Sequence, residues 1–290
     1  MMEGSGLPRV LFQVHPNGKY LRELFQQEIE KVPEAKASLM EETEMSPLFA
    51  HNDETFAQAD AVICASSFTH HSLAAAGSKA PAHVVGYGVD LDLFSARTVA
   101  PSAKPLTVGF VGALSQRKGA RYLLGALAAL PKGSAKLVLY TRAAVDRDLL
   151  RGFESVDIEI RGGLSDRALA ADLKHCDLVA LPSIAEGFGL VILEAMACGV
   201  PVITSNVSSL PEIVGNAGVL LDPTDAEELA AAVTDLLGDG ERRRPQKVFG
   251  FGSQGLPHRQ ETARFRRAAL WRGRASGAGG LQHPGRCLSS

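Results

Sequence analysis

The densest chemistry in this 290-residue chain lies at residues 181–201, LPSIAEGFGLVILEAMACGVP. The apolar run DLVALP reads as a buried strand, and it ends in a loop that carries Glu186. Gly187, Phe188 and Gly189 then open a helical pattern with Glu194 in its second turn. Glycines at a helix start let backbone approach a ligand closely, and the unpaired N–H groups at the positive helix end favour a phosphate. Two carboxylates would repel that phosphate directly. They suit sugar hydroxyls instead, one on each side of a diphosphate.

Other residues belong with this segment by chemistry. Lys118 follows a strand pattern at 107–112 and precedes a helical one, so its ammonium reaches a phosphate from the adjacent loop. Arg117 is the neighbouring cation, but consecutive helical residues point apart, which makes Lys118 the better placed of the two. His15 closes VLFQVH and is expected at the cleft end of its strand, either against a ligand or bonded to backbone. Backbone groups around Gly163 and Leu164 could contact a base, guanine or uracil alike. His70 and His71 are adjacent on a helix and face different directions, so they do not form a metal pair. The formal GxGxxG at 250–255 lacks a preceding strand and a following helix, so no dinucleotide site is read there.

The elements that must position these groups alternate regularly. Apolar runs near 9–14, 60–65 and 82–86 read as three strands, with helical stretches between them. Six more follow near 107–112, 136–141, 157–160, 177–182, 201–204 and 218–221. Helices near 118–130, 165–174, 189–198 and 224–237 separate them. Strands alternating with helices predict an α/β chain whose parallel sheets are covered on both faces. Six strands make a full doubly wound domain and three about half of one. In such sheets ligands bind beyond the carboxyl ends of the strands, which is where Glu186 and Lys118 fall.

Composition sets limits on partners. The formal charge of −2 is a sum of unlike parts: residues 241–290 hold eleven basic and two acidic residues, leaving 19 basic against 30 acidic in the rest. A body at −11 argues against nucleic acid as a partner. Four scattered cysteines without a CxxC pair suggest neither a zinc site nor a disulfide framework, and a cytoplasmic setting fits them. No run of 18 apolar residues occurs, so membrane contact, if any, is expected to be peripheral, at the inner membrane face. An NAD-dependent oxidoreductase would need a glycine fingerprint after a first strand, and neither VLFQVHPNG nor VGFVGALSQRKG supplies one.

The spacing of Glu186 and Glu194 within EGFGLVILEAMACGVPVI resembles the EX7E signature of GT-B glycosyltransferases, in particular the retaining family four group. GVDLDLF at 88–94, VGFVGALSQRKG at 108–119, GGLSDRALAADLKHCDLVALPS at 162–183 and SSLPEIVGNAGVLLDP at 208–223 extend the resemblance over about residues 9–240. It implies a two-domain GT-B fold and metal-independent transfer of a sugar from a nucleotide diphosphate sugar, with retention, to a glycan, lipid or small-molecule acceptor. By the same resemblance Glu186 lies near the transferred sugar, Glu194 holds the ribose, and backbone N–H groups of Phe188, Gly189 and Leu190 contact the diphosphate. His15 faces the sugar. Where the family has an Arg after the strand-end glycine, Gly112 is followed by Ala113, so Arg117 is the candidate replacement. Asp90 and Asp92 spell DxD, but inside a segment that resembles the family's interdomain stretch, so no metal and no other cofactor is expected.

The expected organisation is a partial acceptor-side domain at 1–97, a linker at 98–105, a donor-binding domain at 106–240 and a basic Gly/Arg-rich tail, largely disordered, at 241–290. Three strands in the first part and a tail unlike the family's closing helix suggest truncation at the N-terminus and an unrelated end, as a frame shift would produce. The alternative function is a fragmentary or inactive domain that binds a nucleotide sugar without turnover.

Overall fold

The computed structural model describes residues 8–44, 56, 58–98 and 105–238, and nine strands lie among these described residues; those buried on both faces, such as LVAL at 178–181, read as unbroken apolar runs. All the described residues belong to one compact unit. The expected linker at 98–105 lies mostly outside the described residues, and the tail at 241–290 lies wholly outside them.

The first sheet is β1 (Val10–Gln13), β2 (Ala61–Cys64) and β3 (Ala82–Val84), parallel and in that order. Helix α1 (Gly18–Lys31) follows β1 and is capped by Asn17, whose side chain accepts from the Lys19 N–H at 2.9 Å. Leu21, Phe25 and Glu28 form its buried stripe. Helix α2 (Lys36–Glu44) comes next, and α3 (Ser67–Ala75) starts with a capping box between Ser66 and Thr69.

The second sheet holds β4 (Leu106–Val111), β5 (Ala135–Thr141), β6 (Ile158–Gly162), β7 (Leu178–Leu181), β8 (Val202–Ser205) and β9 (Val219–Leu221). Its order, β6-β5-β4-β7-β8-β9, is parallel throughout and doubly wound. Helices α4 (Ala120–Ala128), α5 (Asp166–Leu173), α6 (Leu190–Ala197), α7 (Leu210–Val214) and α8 (Ala226–Gly238) connect or cover these strands. Phe110, Leu137, Leu139, Leu178 and Ile203 are fully buried at its centre. The winding reverses between β4 and β7, so the loops leaving those two strands flank the crevice where such sheets take ligands.

Two departures from the sequence reading have local causes. The helix expected from 118 begins at Ala120, because Gly119 is left-handed (φ 73°) and a side chain there would run into the Pro182 carbonyl, 1.9 Å from an added Cβ. Residues Gln116–Lys118 form a 3₁₀ turn instead. Helix α7 was not expected; five residues are too few for a 3.6-residue period to show.

Candidate functional site

The loops after β4 and β7 carry the charged groups. Lys118 lies in the 3₁₀ turn after β4, and its Nζ is 2.7 Å from Glu186 Oε1 in the loop after β7. Arg117 also approaches, with Nη1 3.6 Å from the same oxygen and 3.0 Å from the Ala185 carbonyl to which it donates. Lys118 is the nearer of the two, as expected from their order, and Arg117 faces the same carboxylate. A 3₁₀ turn does not follow α-helical spacing, and both side chains converge on one carboxylate.

Glu186 is 7% exposed. Burial alone would push its carboxyl up, but Lys118 and Arg117 outweigh it and hold the group below the ordinary carboxylate range, with Ser183 Oγ donating at 3.2 Å. The loop is held by hydroxyls that satisfy its carbonyls. Ser209 donates to Glu186 O at 3.0 Å, Ser66 to Gly187 O at 2.6 Å and Ser205 to Ser183 O at 2.5 Å. Ser208, in the left-handed region at φ 61°, immediately precedes Ser209. These serines were missed in the sequence reading, because nothing in their spacing marks them as partners of a loop about twenty residues upstream or more than a hundred downstream.

Gly187 is where the first sheet meets this loop. An added Cβ would lie 1.9 Å from the Val14 carbonyl oxygen and 3.1 Å from His15 Cα, so only glycine permits the approach. His15, two residues past β1, is thereby brought beside the Glu186 loop. Phe188 is buried, with its ring edge-on to Tyr87 at 5.1 Å between centroids. Gly189 (φ 89°) caps α6, and the opening turn leaves the N–H groups of Gly189, Leu190 and Val191 without intrahelical acceptors.

Gly112 links the ion pair to a cavity. An added Cβ there would sit 3.0 Å from Lys118 Cε, so its bare backbone makes room for the lysine stem. Gly112 also lines a cavity of about 360 Å³ together with Ala113, Tyr140, Arg142, Leu164 and Glu194. Burial, aided by the nearby Asp166 charge, pushes the Glu194 carboxyl up to about 7. Gly163 and Leu164 line an adjoining groove of about 630 Å³. Arg142 borders both spaces, donating to Leu164 O and pairing with Asp166, each at 3.0 Å. Neither Arg142 nor Asp166 was singled out from sequence, since both read as ordinary surface charges.

The structure therefore groups Arg117, Lys118, Glu186 and Gly112, sets His15 against Gly187, and places Glu194 and Leu164 on one cavity with Gly163 beside it. Among the described residues no group of three or more His, Cys, Asp or Glu could hold a metal ion, and no helix is long and apolar enough to cross a membrane.

Two cations and an open helix start beside a cavity lined by Glu194 and Asp166 have the chemistry to hold an anion and to accept hydroxyls. Residues 105–239 match the family of glycosyl transferases group 1. The chain is 38% identical over 142 residues to O-antigen chain mannosyltransferase B of Escherichia coli, a match covering 46% of this chain and 37% of that protein. It is 33% identical over 204 residues to a GDP-mannose-dependent alpha-(1-6)-phosphatidylinositol dimannoside mannosyltransferase of Mycobacterium tuberculosis, covering 67% of this chain and 53% of that one. The chain thus spans about half or less of the length of these curated relatives. Among solved structures it resembles Anabaena HepE in complex with UDP and glucose, with 26% identity, a TM-score of 0.64, and coverage of 76% of this chain and 66% of that one. The architecture is α/β with parallel, Rossmann-like sheets, and its structural neighbours are GT-B glycosyltransferases.

Proposed function

We propose that this chain is a retaining, metal-independent glycosyltransferase of the EX7E type that moves a sugar from a nucleotide diphosphate sugar to a glycan, lipid or small-molecule acceptor. The observation that carries the reading is the 2.7 Å pair of Lys118 and Glu186 at the switch point of the sheet, opening through Gly112 onto the Glu194 cavity. The GDP-mannose-dependent relative and the HepE complex with UDP and glucose suggest two donors to test, GDP-mannose and UDP-glucose.

The chemistry follows from where charge develops. As the bond from the sugar to the diphosphate breaks, negative charge grows on the leaving group, and donors already aimed at that place stabilise it. Lys118, Arg117 and the N–H groups opening α6 are such donors. Glu186 accepts from sugar hydroxyls while keeping Lys118 in place, and Glu194 accepts from the ribose. His15 contacts the sugar from the side of the first sheet. The segment 106–240 serves as the donor half and 1–97 as part of the acceptor half, and no protein nucleophile takes part.

Incubation with UDP-glucose and GDP-mannose, followed by assay of released nucleotide with and without EDTA, tests the reading; the anomeric configuration of the product tests retention. Nucleotide release that persists in EDTA is expected. A second reading, binding without turnover, is favoured by one observation: Phe12 on β1, at the edge of a three-stranded sheet, is 69% exposed. Saturable nucleotide binding with neither hydrolysis nor transfer would select it.

A further inference from the structure

Helix α1 stands among the first-sheet elements, yet its Glu28 carboxylate is buried, 4% exposed, against the turn that carries Lys118. Glu28 Oε1 accepts from Gln116 Nε2 at 2.7 Å and from the Tyr122 hydroxyl at 2.7 Å. Gln116 is fully buried and is held at every polar point. Its side-chain oxygen accepts from the Arg121 N–H at 3.2 Å, and its own N–H donates to Ser38 Oγ of α2 at 3.2 Å. Gln116 opens the 3₁₀ turn that ends at Lys118, and the turn closes with Gly119 N–H on Gln116 O at 2.8 Å.

The Glu186 loop rests on the same helix pair. Ile184 and Ala185 share a core with Leu21, Phe25, Ala35 and Leu39, and the Ile184 N–H donates to Arg117 O at 2.9 Å. Both halves of the Lys118–Glu186 pair are therefore seated on α1 and α2. A buried carboxylate is costly, and an apolar residue of similar size would fill the space without charge. What the carboxyl adds is direction: its Oε1 accepts from Gln116 and Tyr122 at once and so ties the turn to α1.

We propose that Glu28 is a positioning residue for the donor diphosphate, holding the Gln116 side chain so that the turn aims Lys118. The inference rests on the reading that Lys118 meets the diphosphate. It makes α1 part of the donor machinery, so removing the first-sheet segment would impair nucleotide binding as well as acceptor binding.

Calorimetric titration of the full chain with UDP and with GDP tests this. Glu28→Ala is expected to weaken the better-bound nucleotide about five- to tenfold, or ~1–1.4 kcal/mol, with stoichiometry unchanged. Glu28→Gln keeps an oxygen at the Oε1 position and is expected to stay within about twofold of the parent. In a Lys118→Ala background, Glu28→Ala is expected to add less than about twofold, because only Arg117 is left for the turn to aim. Glu30→Ala, exposed on the same helix, serves as the unaffected control. An unchanged Kd in Glu28→Ala, a fall in stoichiometry at unchanged Kd, or a full additional loss in the Lys118→Ala background would overturn the proposal. Failure of the parent protein to bind either nucleotide would instead overturn the proposed function, and this inference with it.

Discussion

Replacing Lys118 by methionine keeps most of the stem and removes the ammonium, which isolates the charge facing Glu186. At an effective dielectric near 20, unit charges attract by about 6 kcal/mol at 2.7 Å and about 5 kcal/mol at 3.6 Å, the separations of Lys118 and Arg117 from Glu186 Oε1. These are gross attractions, opposed by desolvation. Stripping one partner from a buried pair leaves a net loss of ~3–5 kcal/mol. Arg117 and Ser183 remain in place, so Lys118→Met is expected near the lower end, ~3 kcal/mol. The pH dependence has a definite sign. A carboxyl held below its ordinary range in the folded state adds stability above its unfolded pKa, and that stability is lost as pH falls through the folded value. Lys118→Met removes the largest source of that lowering, so its deficit is greatest near neutral pH and closes as Glu186 protonates below about pH 4.5. Urea unfolding of both proteins at about pH 7 and about pH 3 measures it. Glu186→Gln in the Lys118→Met background should recover most of the loss, since a neutral amide needs no cation. A deficit under ~1 kcal/mol at neutral pH, or one equal at both pH values, would refute the reasoning.

Three further outcomes follow from the geometry. Because burial and Asp166 raise the Glu194 carboxyl to about 7, its ionisation opposes folding as pH rises from its unfolded value through that point; Glu194→Gln is expected to gain stability over the parent at about pH 8 and lose that advantage at about pH 5, read from urea midpoints. Gly187→Ala sets a Cβ against the Val14 carbonyl with backbone on both sides, so a loss of more than ~2 kcal/mol and weakened nucleotide binding are expected from unfolding and titration; a protein as stable as the parent would contradict the close approach. Burial pushes the thiols of Cys64, Cys176 and Cys198 up to about 11, so mass spectrometry after brief native alkylation at about pH 8 should find all three unmodified, and all three labelled after denaturation.

The elements most legible in the sequence are those whose cause is local. Strands such as LVAL at 178–181 are apolar at every position because both faces are covered, and that run is visible without any fold. The Glu186 to Glu194 segment is legible for the same reason: strand end, glycines and helix start are consecutive, and the crevice beyond them follows from the winding of the sheet. Arg117 marks the limit of local reasoning. α-Helical spacing turns it away from Lys118, but the left-handed Gly119, packed too close to Pro182 for any side chain, delays the helix, and the resulting 3₁₀ turn aims both cations at one carboxylate.

Glu28 marks a second limit of a different kind. In QQEIEK it reads as one more solvated helix acid, and its burial depends on Gln116 and Tyr122, 88 and 94 residues away. Ser66 is as remote from the Gly187 carbonyl it satisfies, at a separation of 121 residues. Groups that touch a ligand must match its charge and hydroxyls, so their types betray them. Groups that hold those residues need only a donor or acceptor of the right reach, which many polar side chains supply, so their identity becomes readable only when the fold brings the distant partner near. The same logic says where substitutions will surprise. Changing Lys118 or Glu186 alters a recognisable charge, whereas changing Glu28 or Ser66 alters the aim of that charge from a place that carries no chemical signature of its own.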